Sequence, residues 1–172
     1  GAVDPRVRVL TVGRRHPLRE PQHYPLRTAS ASPVPEVTTI AAVGDIMLGR
    51  RVGARHRADP GAPLKPLAKR LAASEITVGN FESTLSTAGS PTQGGDSFAA
   101  SLRVTSGLRA AGFDLLSLAN NHVGDYGDRA LRQTLASFAR SKIDTVGAGR
   151  DLAQAHRPVI LERDGVRVGF VA

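Results

Sequence analysis

Three polar clusters in this chain carry residue types that can do chemistry together. They are Gly44-Asp45, Gly79-Asn80-Phe81-Glu82 and Asn120-Asn121-His122. Each follows an apolar stretch that reads as a β-strand, so each sits at the carboxyl end of a strand. In open α/β sheets that edge is where ligands bind. A carboxylate, a carboxylate with an amide, and an amide with an imidazole make an oxygen-and-nitrogen set suited to a hard or borderline divalent cation. Local structural roles stay open for each residue. Asp45 could cap a turn, Glu82 could be a solvated loop residue, and Asn120 and Asn121 could serve a tight turn. The functional reading rests on the clusters recurring at equivalent places.

The elements that would position them follow from periodicity. Residues 37–43 are apolar and rich in β-branched types, the pattern of a buried strand. Leu64, Leu67, Ala68 and Leu71 share one face of a helix expected over 64–73. Residues 75–79 form a second short strand, and 83–97 read as a loop. A helix over 104–111 stops at Gly112, a residue suited to ending helices. Residues 113–119 form a third strand. A helix over 127–141 brings Leu131, Leu135 and Phe138 about one turn apart, and 143–146 form a fourth strand. Residues 159–163 and 166–171 flank Asp164-Gly165, a two-residue hairpin signal. Strands alternating with helices predict an α/β fold with a largely parallel sheet. The chain stops inside an apolar strand, so truncation is expected at both ends.

Residues 1–36 differ from the rest. An alternating stretch at 6–12 suits a single strand, and five prolines between Pro17 and Pro35 exclude helix and central strand. The expected division is 1–36, the tail of a preceding domain plus a Pro-rich linker, and 37–172, the N-terminal part of the principal domain.

Composition bounds the function. The 172 residues suffice for one domain of ordinary size. The absence of cysteine removes disulfides, thiolate metal sites and cysteine nucleophiles. Net charge is +8, carried almost wholly by arginine. Arginine favours forked contacts to carboxylate and phosphate, which suits an anionic polymer or a phosphate-containing substrate; a GC-rich genome would give the same composition. Aromatics are 4% of residues, too few for stacking platforms, and no nucleic-acid partner is expected. Arg50 and Arg51, just after the first cluster, are placed to hold an anionic substrate, and Asn120 is grouped with them.

Ala42-Val43-Gly44-Asp45-Ile46-Met47-Leu48-Gly49-Arg50, then Gly79-Asn80-Phe81-Glu82-Ser83, then Gly112-Phe113-Asp114-Leu115-Leu116-Ser117-Leu118-Ala119-Asn120-Asn121-His122 with Asp125-Tyr126-Gly127, resemble the CapA family of bacterial capsule synthesis proteins. Gly147-Ala148-Gly149, with Ala155 and Pro158 ahead of the hairpin, extends the likeness, which covers about residues 37–172. The resemblance implies a metallophosphatase-like layered sheet with flanking helices, incomplete here after its first half. It implies capsule or poly-γ-glutamate biosynthesis, an exported protein of the cell envelope or exterior, and other capsule-synthesis membrane proteins as partners. That family is similar to the calcineurin-like metallophosphoesterases. By position, Asp45 matches their first Asp, Asn80 their bridging Asp, and Asn121-His122 their Asn-His pair. Met47 stands where they have His, and Asn80 is neutral where they have a charge.

The expected site therefore has Asp45, Asn80, Glu82 and Asn121 holding a divalent ion, Mn²⁺ or Mg²⁺. Such an ion lowers the pKa of its water toward about 7, and His122 acts as general acid. The alternative is a non-catalytic envelope component that binds an anionic polymer and helps export it.

Overall fold

The computed structural model describes residues 37–172 and, by its backbone, the strand Val7–Leu10. The expected linker, and the rest of the first 36 residues, lie outside the described residues. In chain order the strands are β1 (Val7–Leu10), β2 (Ile40–Asp45), β3 (Ile76–Asn80), β4 (Thr84–Leu85), β5 (Ala99–Ala100), β6 (Leu115–Ser117), β7 (Asp144–Val146), β8 (Val159–Arg163) and β9 (Val166–Phe170). The α-helices are α1 (Arg50–Arg55), α2 (Lys65–Leu71), α3 (Val104–Ala110), α4 (Asp128–Ser141) and α5 (Leu152–Ala155).

Strands β2, β3, β6 and β7 lie side by side in that order, all parallel. Side chains alternate across this sheet, as the pleat requires. Leu116 joins a core built with Leu71 of α2, Leu108 of α3 and Phe138 of α4. Its neighbour Leu115 joins Ile76, Val146, Leu161, Val168 and Phe170 on the opposite face. The four-stranded sheet is thus covered by helices on one side and by the β8–β9 hairpin on the other. The hairpin is antiparallel, and β1 adds to it in parallel, with Val7 opposite Arg167. Asp164 and Gly165, at φ 51° and 76°, supply the left-handed turn that the sequence signals. This layering agrees with the incomplete metallophosphatase-like α/β arrangement that the resemblance implies.

Several expectations change. The first strand begins at Ile40 instead of Val37 and is mostly exposed, because β2 is the edge of the sheet as described. The helix expected over 64–73 is split into a 3-10 turn, Ala62–Leu64, and α2. Leu67, expected on its buried face, is 52% exposed. The loop expected over 83–97 contains β4, which pairs in parallel with β5. Short helices α1 and α5 lacked a readable apolar period.

On α4 the fully buried line runs through Ala130, Thr134, Ser137 and Phe138, with Leu131 and Leu135 half-buried beside it. The polar centre of that line has a cause. The Thr134 hydroxyl accepts from the Leu85 amide (3.0 Å) and donates within 3.2 Å of the Leu85 carbonyl and 2.9 Å of the Ala130 carbonyl. It therefore ties the two-residue β4, too short to hold itself, to the helix. The rings of Phe81 and Phe138 meet edge to face at 5.1 Å directly after β3.

At the amino edge of the sheet, opposite the three polar clusters, Thr39 donates to the Glu75 carboxyl through its hydroxyl and, at 2.8 Å, its amide. These bonds hold the Glu75 carboxyl below the ordinary glutamate range. The Arg163 guanidinium reaches from β8 to Asp114 at 3.0 Å, joining the two sheets there.

Two substitutions test this account. Thr134→Val keeps the volume and leaves the buried Leu85 amide without its acceptor, so it should cost about 1–3 kcal/mol in urea unfolding, while Thr134→Ser costs less. Gly49→Ala would place a methyl 2.5 Å from the Ala99 carbonyl oxygen, backbone against backbone. It should destabilise by about 1–3 kcal/mol; an unchanged unfolding midpoint would show that the β2–α1 loop moves away freely.

Candidate functional site

The three clusters meet at the carboxyl edge of the parallel sheet. Strand β2 reaches it through an irregularity: its register against β3 shifts between Ala42 and Asp45, after which Asp45 pairs with Asn80. Such a shift re-aims the side chains at a strand end. The backbone then interlocks. The Ile46 amide donates to the Asn80 carbonyl (2.7 Å), the Glu82 amide to the Ile46 carbonyl (3.2 Å), and the Phe81 amide to the Ser117 carbonyl (2.9 Å).

On this frame the side chains form a continuous chain of hydrogen bonds. Asn80 Nδ2 donates to Asp45 Oδ1 at 2.8 Å and to Glu82 Oε2. Asn120 Nδ2 donates to Asn80 Oδ1 and to the Phe81 carbonyl, both at 2.9 Å. Asn120 Oδ1 accepts from the His122 amide at 3.0 Å. His122 Nε2 faces Glu82 Oε1 at 3.9 Å. Asp45, Asn80, Glu82, Asn120 and His122 are thus brought together. Asn121 is exposed and joins none of these bonds.

His122 is fixed from its other side by Asp125. Nδ1 lies 2.7 Å from Asp125 Oδ2, and the Asp125 side chain is fully buried. The same carboxylate accepts from the Phe98 amide (2.6 Å) and from Gln93 Nε2 (3.0 Å). A carboxylate in this position only accepts, so Nδ1 carries a proton and Nε2 is the atom that faces the cluster. Phe98 stacks on the imidazole, ring centres 3.8 Å apart and planes 11° from parallel. The Arg50 guanidinium lies 5.1 Å from the centre of the Phe98 ring. Arg50 and Arg51 are both exposed, at the start of α1.

Asp125 and Phe98 are the participants that sequence reasoning assigned no role. A His and an Asp three residues apart just beyond a strand were the available signal for Asp125. For Phe98, an aromatic closing a polar loop in a chain poor in aromatics was the hint.

The arrangement suits proton transfer at His122 Nε2, with the imidazole held by a carboxylate on one side and facing a second carboxylate on the other. It fits a divalent cation poorly. Asn80 turns its amide hydrogens toward Asp45 and Glu82, where a cation would need oxygen lone pairs. Among the described residues no three His, Cys, Asp or Glu side chains are grouped as a metal's ligands.

Comparison with known proteins agrees with the motifs. The model of the bacterial capsule synthesis protein PGA_cap family matches residues 39–172. A "Capsule biosynthesis protein CapA" of Bacillus anthracis is 32% identical over 151 residues, 83% of this chain and 37% of that protein. A "PGA biosynthesis protein CapA" of Bacillus subtilis is 31% identical over 144 residues, 77% of this chain and 36% of that protein. A "Probable polyglutamine synthesis accessory protein" of Mycobacterium tuberculosis is 44% identical over 45 residues. The chain spans a little over a third of the length of the two CapA proteins. With the strand-end motifs in family order and the family model matching nearly all of the described domain, the chain belongs to the bacterial capsule synthesis protein (PGA_cap) family.

Proposed function

We propose that this chain is part of a cell-envelope protein of capsule or polyglutamate synthesis, and that its strand-end cluster is a hydrolase-type site with His122 as general acid. The names of its relatives support the process. The observation that carries the chemistry is the alignment Asp125–His122–Glu82. Asp125 holds the imidazole at 2.7 Å through Nδ1, which leaves Nε2 directed at Glu82, 3.9 Å away. That gap exceeds a direct hydrogen bond and suits one bridging water. A water there would have Glu82 to accept its proton as its oxygen bonds to the reacting centre, and His122, carrying a proton on each ring nitrogen, would give the one on Nε2 to the departing oxygen or nitrogen of the substrate. Arg50 and Arg51, exposed at the start of α1, would hold the anionic groups of a γ-glutamyl polymer or a phosphate ester. Among the described residues no helix is long and apolar enough to cross a membrane. Other membrane proteins of capsule synthesis are the proposed partners.

A second reading, a polymer-binding component without turnover, draws on the +8 charge and the same exposed arginine pair. Turnover of γ-glutamyl polymer and of phosphate esters by the complete protein distinguishes the two. His122→Ala should lower the rate by about 10²–10⁴-fold, the ordinary contribution of a general acid. Asp125→Asn, which keeps an acceptor for Nδ1 and removes the negative charge behind the imidazole, should lower kcat with little change in KM. Polymer retention that depends on Arg50 and Arg51, with no turnover sensitive to His122, would establish the binding reading instead.

A further inference from the structure

The orientation of one side-chain amide decides what Asp45 and Glu82 can hold. Asn120 lies between two backbone groups whose polarity cannot be reversed. The Phe81 carbonyl only accepts, and takes Nδ2 at 2.9 Å; the His122 amide only donates, and gives to Oδ1 at 3.0 Å. Asn120 therefore has one permitted orientation, with its second Nδ2 hydrogen directed at Asn80 Oδ1, also at 2.9 Å. That fixes Asn80 in turn. Its two amide hydrogens point at Asp45 Oδ1 (2.8 Å) and Glu82 Oε2. Turning Asn80 over would set its amide nitrogen against that of Asn120, donor facing donor. It would also set its oxygen against two carboxylates.

We infer that Asn80, locked by Asn120, takes the place of a bridging cation between Asp45 and Glu82, so that this carboxylate pair does not hold a divalent ion. A dication needs oxygen ligands at about 2.0–2.6 Å, and the position between the two carboxylates is filled by N–H groups. The pair is joined by a neutral donor where an all-carboxylate cluster would need metal to relieve its repulsion. This inference is independent of whether His122 catalyses, because it concerns only what lies between Asp45 and Glu82.

The test is titration of the complete protein with Mn²⁺ by calorimetry, in the wild type, Asp45→Asn, Asn80→Asp and the double variant. The wild type and Asp45→Asn should titrate alike. Asn80→Asp, which supplies oxygen and charge where the amide stood, should bind Mn²⁺ at least about tenfold more tightly than the wild type, since ligand charge largely sets affinity for hard cations. The double variant should lose that gain. Mn²⁺ binding by the wild type that Asp45→Asn abolishes would overturn the inference. So would an Asn80→Asp protein that keeps the wild-type melting temperature and gains no affinity. The comparison of wild type with Asp45→Asn decides the matter even if Asn80→Asp does not fold.

Discussion

The buried carboxylate of Asp125 organises the loops around the site. It is fully enclosed and takes hydrogen bonds from His122, the Phe98 amide and Gln93. A charge withdrawn from water is tolerated only when donors replace its hydration, and here the donors come from two separate loops. Satisfying Asp125 therefore draws the segment after β4 onto the segment after β6. The Asp125 backbone carbonyl repeats the connection, accepting from the amide and hydroxyl of Thr92 at 2.8 and 2.9 Å. The Thr84 hydroxyl, at 3.0 Å from the His122 carbonyl, adds a tie from β4. With these bonds made, the imidazole has one orientation and Phe98 has one place to stack.

The sheet supplies what the loops cannot, a fixed spacing between strand ends. Neighbouring parallel strands set Asp45 beside Asn80, and Asn80 beside Ser117 and the segment that follows it. Geometry carried on strands is held more tightly than geometry carried on loops. In this molecule the division is visible. Asp45 and Asn80 come from strands β2 and β3, with Glu82 just beyond β3 tied back to Ile46, whereas the His122 side depends on buried hydrogen bonds to hold its loop.

Much of this was legible in the sequence. The β-branched and apolar runs marked the parallel strands, Asp164-Gly165 marked the hairpin, and the polar residues after strands marked the edge where Asp45, Glu82 and His122 meet. What escaped had physical reasons. Strand β4 is two residues long and held by Thr134, forty-nine positions away, so no local pattern announces it. Leu67 fits the helical period, yet α2 is short and buries only Leu71 fully. Asn121 is adjacent to both Asn120 and His122 but points elsewhere, because neighbours along an irregular segment need not share a face. Identity alone could not say which end of the Asn80 amide meets the carboxylates; that depends on the Phe81 carbonyl and the His122 amide.

The amide relay also bears on how the molecule ages. Asparagine loses ammonia slowly in water and becomes aspartate, a change of almost no volume. At most surface sites such a conversion adds one solvated charge. At Asn120 it would remove the donor that meets the Phe81 carbonyl and Asn80 Oδ1 and put a carboxylate oxygen against both. The repulsion would free Asn80 to turn, and with it the arrangement of Asp45 and Glu82. A single spontaneous hydrolysis, with no change in the fold around it, would thus rewrite the polarity of the whole strand edge.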